Sequence, residues 1–333
     1  MEPKVRPAVG YVIYISWALA MMVYGGFGFL IRDWRLLQTV VTLPGFLIIP
    51  GLWLIDESPR WLIVNGRWRE ALQVLTKVSR WHGVDLPPEA EMKALVEEQP
   101  EVDKIETQPF SLQRLLSAIK DEIVILFRTP RLRMITVCVF LGYTMASMVY
   151  FGLSLSGGTI SDNPYVFMTL SGLMEVPAYT FTIPVVQRFG RKYTLATCFL
   201  LSALVLFALA VIPAGYSVAG VALAMMGKVC ITAGFQTIIF FSSELFPTEV
   251  RSRGVSAAFM MSRIGSMVSP FITDLVGSVY RWAPFVVFGA GALLSGAVTF
   301  LLPETKGQKL PDTVAQLEEK SCQQDKLSVT QVS

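Results

Sequence analysis

The sequence predicts an all-α protein that crosses a lipid bilayer eight times. Three observations carry that reading. Of the 333 residues 53% are hydrophobic. They collect in eight uninterrupted stretches, at 9–31, 36–55, 134–155, 164–187, 193–213, 217–241, 254–277 and 282–302. Only four of the 53 charged residues, Glu175, Lys228, Arg263 and Asp274, fall inside them. Each stretch has 20 to 25 residues, enough at ~1.5 Å per residue to cross a hydrocarbon core of ~30 Å. Helices are the expected spanning form, because a helix satisfies its backbone hydrogen bonds internally. The same distribution excludes a soluble globular domain.

Taken in order, residues 1–8 are too short and the first apolar run too long for a signal peptide, so 9–31 is expected to remain as a span. With 36–55 it forms a pair, residues 1–55. A polar connector of 78 residues follows, 56–133. In it Ser58-Pro59 reads as an N-cap followed by proline at the first helical position, and residues 67–81 carry helical apolar spacing that ends at Gly83. Residues 85–100 read as a weaker acidic helix. Residues 111–127 form an amphipathic piece, with Leu112, Leu115, Leu116, Ile119, Ile123 and Leu126 near one face. These helices are expected along the membrane surface. Six spans with very short connections then fill 134–302, and a polar tail occupies 303–333.

Residue types narrow the chemistry. Cys138, Cys198 and Cys230 lie inside spans and Cys322 in the tail, with no CxxC pair, so neither a disulfide framework nor a zinc site is expected. The one histidine, His82, falls in the connector, which leaves no intramembrane histidine for a triad, a haem or a proton relay. No cofactor, no metal and no enzymatic constellation is expected. The net charge of +3 reflects topology rather than a nucleic-acid partner. Within reach of the membrane, one set of loops carries 18 Lys and Arg against 3 in the alternate set (Arg32, Arg35 and Arg281). Both termini and the connector are therefore expected to be cytoplasmic.

Intramembrane charges cost a few kcal/mol each and normally face a protein interior or a wet cavity. Glu175 is the twelfth residue of a 24-residue stretch, Lys228 the twelfth of 25 and Arg263 the tenth of 24. All three are expected near the midplane, where secondary transporters hold substrate. Helical spacing adds Tyr179 and Thr182 to the face of Glu175, and Thr232, Phe235 and Gln236 to that of Lys228. Tyr143, Ser147, Tyr150 and Ser154 repeat along the third span. Aromatic rings there suit an organic cation. The alternative is a structural ion pair with tyrosines bonded in helix packing. Arg263 leaves a surplus positive charge, which suits a carboxylate or sulfate. Asp274, eleven residues beyond Arg263 on the same face, reads as a mouth or gate residue, or as a solvated helix end. Pro177, Pro184 and Pro270 permit kinks beside the expected cavity.

Four motifs become specific when taken together: DESPRWLIVNGR (56–67) after the second span, GRK (190–192) in a turn, ELFPTEVRSRG (244–254) between two later spans, and LPETKGQKLPDT (302–313) after the last. Over residues 9–318 the chain resembles the solute carrier 22 family of organic cation, anion and carnitine transporters, within the major facilitator superfamily. The resemblance implies that the spans correspond to the fifth to twelfth helices, two from the N-terminal bundle plus a complete C-terminal six-helix bundle. It also implies that the helices bearing Tyr143, Glu175, Lys228 and Arg263 line a central cavity. Cation carriers of the family usually have aspartate at the position of Arg263, whereas anion and carnitine carriers usually have arginine. The family's first four helices and large outer loop have no counterpart here. Where the superfamily pattern begins with aspartate the turn has Gln187, so the acid that would cap a neighbouring helix is missing.

The expected function is transport of a small organic ion by alternating access in the plasma membrane. Organic anions or carnitine-like zwitterions come first, organic cations second, and the coupling ion, Na+ or H+, is not readable. Substrate-binding residues are expected to be Tyr143, Tyr150, Glu175, Lys228, Gln236 and Arg263. Gating is expected of Arg188, Arg191, Glu244, Arg251 and Asp274. A reading of a different class is a truncated, non-transporting membrane protein or regulatory fragment: without four helices the cavity face would meet lipid, so poor transport is expected of the 333-residue chain.

Overall fold

The computed structural model describes residues 6–46, 48–54, 56–64, 67–83, 124–213, 216–308, 311 and 313–319. Among these, helices dominate and no strand occurs. They are Arg6–Leu30 (α1), Trp34–Phe46 (α2), Ile48–Leu54 (α3), Pro59–Val64 (α4), Trp68–His82 (α5), Pro130–Leu155 (α6), Gly157–Ile160 (α7), Pro164–Phe189 (α8), Arg191–Val211 (α9), Ser217–Leu245 (α10) and Arg251–Phe271 (α11). A π-helical turn at Ile272–Val276, Gly277–Val279 (α12) and Ala283–Thr299 (α13) complete the order.

Among the described residues, six helices are long and apolar enough to span a bilayer: α1, α6, α8, α9, α10 and the run Arg251–Val279. The last expected span appears as α13, apolar but 17 residues long. The second, 36–55, carries α2 of 13 residues, with Pro44 inside it, and α3 of seven.

Two compact units can be separated, residues 33–115 and the remainder. In the smaller unit α4 begins at Pro59 as its N1 chemistry demands, and α5 ends on Gly83 in the left-handed region, φ 64°. Asp56 pairs with Lys77 at 2.5 Å and Arg67 with Glu70 at 2.6 Å. The acidic helix expected at 85–100 and most of the amphipathic piece at 111–127 lie outside the described residues.

In the larger unit α6 packs against α11, α13 and α10; α9 packs against α13 and α10; α8 lies between α1 and α10. Lipid tails offer apolar side chains no less than a helix partner does, so association rests on close packing and interhelical hydrogen bonds. The α6–α11 crossing shows both. Ser147 Oγ donates to the carbonyl of Ser262 at 2.6 Å, and Thr144 Oγ1 reaches that of Met261 at 3.3 Å. A Cβ added at Gly265 would collide with the Thr144 carbonyl oxygen. That crossing holds one face of α11 against the bundle and turns the other outward.

Candidate functional site

Glu175 sits on α8 and Lys228 on α10, and the packing of those helices brings them together. Lys228 Nζ lies 3.2 Å from Glu175 Oε1, with side-chain exposures of 1% and 0%. At that burial neither charge survives unpaired, and every strong valence is met. Tyr150 donates its hydroxyl to Glu175 Oε1 at 2.5 Å and Tyr179 donates to Oε2 at 3.1 Å. Lys228 donates to Ser154 Oγ at 2.6 Å and to the Tyr150 carbonyl at 3.5 Å. Its ammonium also stands 3.2 Å from the Tyr150 ring centroid, a desolvated cation–π contact.

Local helical geometry explains the convergence. Glu175 and Tyr179, like Tyr150 and Ser154, are four residues apart and share a face. A further ligand comes from α1: Trp17 Nε1 donates to the Tyr150 hydroxyl at 3.1 Å. With its acceptor site so engaged, Tyr150 aims its own proton at the carboxylate. On the same side the Tyr14 ring lies 5.0 Å from that of Tyr179. Sequence reasoning missed Trp17 and Tyr14, because depth along a helix says nothing of which neighbour it meets.

Below this cluster an aromatic layer continues. The Tyr143 hydroxyl hydrogen-bonds with Ser242 Oγ at 2.9 Å, while its ring packs edge-on against Phe235 and Phe259 at 6.1 and 5.3 Å. Phe235 also lies 6.2 Å from Tyr150. Thr232 and Gln236 are buried on α10, one and two turns beyond Lys228, and Thr232 Oγ1 and Gln236 Oε1 have no hydrogen-bond partner among the described residues.

The structure brings together Tyr150, Glu175 and Lys228, with Tyr143 linked to them through the Phe235 ring, while Gln236 is buried two turns beyond Lys228 on α10. It does not bring Arg263 to them. Arg263 is exposed on the outward face of α11 and makes no ion pair among the described residues. Asp274 is exposed in the π-helical turn and likewise stands apart.

At the other end of the bundle the residues expected to gate meet partly. Arg191 Nη2 lies 3.0 Å from Glu244 Oε1, and Thr305 Oγ1 donates to Glu244 Oε2 at 2.5 Å. Arg251 hydrogen-bonds the Phe246 carbonyl and Thr248 Oγ1. Arg188 offers its carbonyl to Lys306 Nζ at 2.7 Å, its guanidinium over the Phe189 ring. The acid missing at Gln187 is replaced from far along the chain. Glu304 accepts from the backbone N–H groups of Arg191 and Lys192 at 3.0 and 3.1 Å, capping α9. Gly190, at φ 92°, leaves the space that Glu304 occupies. Glu304 was legible only as part of the LPETKG motif.

Comparison with known proteins agrees with this architecture. A family model described as "Sugar (and other) transporter" matches residues 4–315. The chain is 34% identical over 309 residues to the "Organic cation transporter protein" of Drosophila melanogaster, covering 93% of this chain and 55% of that protein. It is 34% identical over 305 residues to the human "Organic cation/carnitine transporter 2", covering 92% and 52%. It is 34% identical over 316 residues to human "Solute carrier family 22 member 13", covering 95% and 54%. The chain thus spans about half the length of the curated relatives it matches. Among solved structures it resembles the proton:xylose symporter XylE with a TM-score of 0.53 at 19% identity, covering 90% of this chain and 64% of that one.

Proposed function

The chain belongs to the sugar (and other) transporter family of the major facilitator superfamily, and from that premise we propose that it carries small organic ions across a membrane by alternating access. Carnitine-like zwitterions and organic anions are the first choice. The observation that carries the reading is the buried Glu175–Lys228 pair under an aromatic roof. It stores one negative and one positive ligand in a form that a zwitterion can replace. The substrate's cationic end would take Glu175 and the rings of Tyr150 and Tyr143, and its carboxylate would take Lys228. Gln236 and Thr232, each with an unpartnered oxygen, would meet a polar group between them. Differential binding of that kind is what lets a substrate shift the balance between two conformations.

Arg263 enters as an outlying cation. It is exposed on α11 and uncommitted to an ion pair among the described residues, which suits a substrate carboxylate. Arg191, Glu244, Arg251 and Arg188, at the end proposed to be cytoplasmic, would hold that side closed. Asp274 would stand at the opposite mouth. The runner-up, an organic cation, draws on the name of the Drosophila relative and on the aromatic surround of Glu175.

Uptake of labelled carnitine, tetraethylammonium and an aromatic carboxylate into proteoliposomes tests these readings. Saturable carnitine uptake would favour transport over the poor transport expected of the 333-residue chain alone. In a chain that transports, Glu175→Gln should abolish carnitine and tetraethylammonium uptake and Lys228→Met should spare tetraethylammonium more than the carboxylate. Uptake of all three probes that ignored both substitutions would sink the proposed site. An Arg263→Ala variant with undiminished carboxylate uptake would remove Arg263 from it. Absence of saturable uptake would favour the non-transporting alternative.

A further inference from the structure

A second cavity lies far from the ion pair, at the opposite end of the bundle from Glu304. Its volume is about 200 Å³, and its walls come from α7 (Thr159, Ile160), the end of α9 (Leu209), the start of α10 (Tyr216, Gly220) and the approach to α13 (Arg281, Trp282, Phe285). Among the described residues Arg281 is its only charged wall; the nearest acid in sequence to α7, Asp162, is exposed and does not line it. Arg281 Nη2 donates to the Thr159 carbonyl at 2.6 Å, which pins the guanidinium across the opening. A guanidinium has five N–H donors, so four remain for another acceptor. The first turn of α10, with no side-chain cap and no acid, adds positive potential of the same sense.

An interfacial arginine beside tryptophan and tyrosine is common at membrane boundaries, and depth alone accounts for Arg281 and Trp282. It does not account for the hollow. Gly220 keeps one wall open, since a Cβ there would meet Ile160 and Leu209 only at ordinary contact distance. The opposite wall is aromatic. Drug-sized sites usually fall at ~300–1,000 Å³, so this one has room for a single ring and one anionic group. We propose that the cavity is a binding site for a single-ring or similarly compact organic anion, whose carboxylate, sulfonate or phosphate takes Arg281 while its apolar part lies between Leu209, Trp282 and Phe285. On the orientation proposed above the site faces outward. It is separate from the transport site, with which it shares no residue.

The same anionic chemistry belongs to a dissolved aromatic acid and to a lipid headgroup, and the test distinguishes them. The full chain, purified in detergent, is photolabelled with 4-azidobenzoate and the adducts are mapped by mass spectrometry. Labelling is expected within 209–220 and 281–285. The uncharged probe 4-azidobenzamide should label the wild-type chain there about tenfold less, the equivalent of ~1.4 kcal/mol. Arg281→Gln and Gly220→Leu, acting on different walls, should each suppress the labelling. In nanodiscs, suppression by phosphatidylglycerol but not phosphatidylcholine identifies the occupant as a lipid headgroup, and undiminished labelling identifies a dissolved acid. Adducts confined to the segments around Tyr150 and Lys228, or equal labelling by the acid and the amide, would overturn the proposal. Because the assay reads location rather than uptake, a chain that transports nothing can still pass it.

Discussion

Glu175 and Lys228 illustrate how a buried pair is more costly to break than to omit. Removing one partner leaves a charge without compensation in a dry interior, at a cost of ~3–5 kcal/mol, whereas replacing both often costs little. Glu175→Gln and Lys228→Met should each lower the thermal midpoint of the detergent-solubilised protein, and the double variant should recover most of the loss. A double variant as unstable as the sum of its parts would mean that the two charges do not interact. Trp17→Phe should be milder, costing about 1 kcal/mol for one hydrogen bond. Its signature is a weakened response to tetraethylammonium in the uptake assay, because Tyr150 then loses the donor that orients it. That Glu175, Lys228 and Arg263 lie well inside apolar stretches was readable from residue counts alone, since charges inside such stretches are rare. What the counts could not supply was azimuth. Glu175 and Lys228 point into the bundle and Arg263 points away, and that difference arises from the α6–α11 crossing, which is written in Ser147, Thr144 and Gly265 rather than in any charge.

Among elements, Arg251–Val279 shows most clearly where pattern ended and packing began. Its apolar length was legible, and so was a proline-permitted bend at Pro270. The five-residue π-helical turn that follows, Ile272–Val276, was not, because a π turn is set by how the two flanking segments must pack and has no composition of its own. Gly265→Leu should force α11 off α6. Loss of the Ser147 and Thr144 hydrogen bonds together with overpacking puts the cost at ~2–4 kcal/mol, measurable as a lower midpoint of thermal aggregation. Gly158→Ala, at a helical glycine with open space around it, should change that midpoint little and serves as the control. Of the second expected span the described residues are helical at 34–46, with Pro44 inside, and at 48–54.

For the whole molecule, the family and the helical architecture were legible because four motifs sit in order at the ends of spans, and each does a structural task where it stands. LPETKG caps α9 through Glu304, and its Thr305 joins Arg191 on Glu244. Beyond it Val314 N donates to Glu249, and Glu318 accepts from the backbone of Arg131 at the start of α6, with Val314 and Leu317 packed on the core. Within the polar tail, residues 314–319 are helical and form a tie across the bundle end. Glu304→Gln keeps one acceptor and loses the charge at a helix N-terminus, for a loss of about 0.5–1 kcal/mol. Glu304→Ala loses both acceptors and should cost ~1–2 kcal/mol. Graded midpoints in that order are expected, and equal ones would show that the carboxylate serves only to fill space.

The cap on α9 also imposes an order on biogenesis. Glu304 follows Arg191 by 113 residues, and domains form from the N-terminus during synthesis. When α9 enters the membrane, its first turn therefore carries two basic side chains, Arg191 and Lys192, at the positive end of its dipole, with no carboxylate yet made to offset them. That state persists through the insertion of α10, α11 and α13. Only when the residues after Thr299 have been made can the acid reach back, so this bundle end is completed late, after α13 is in place.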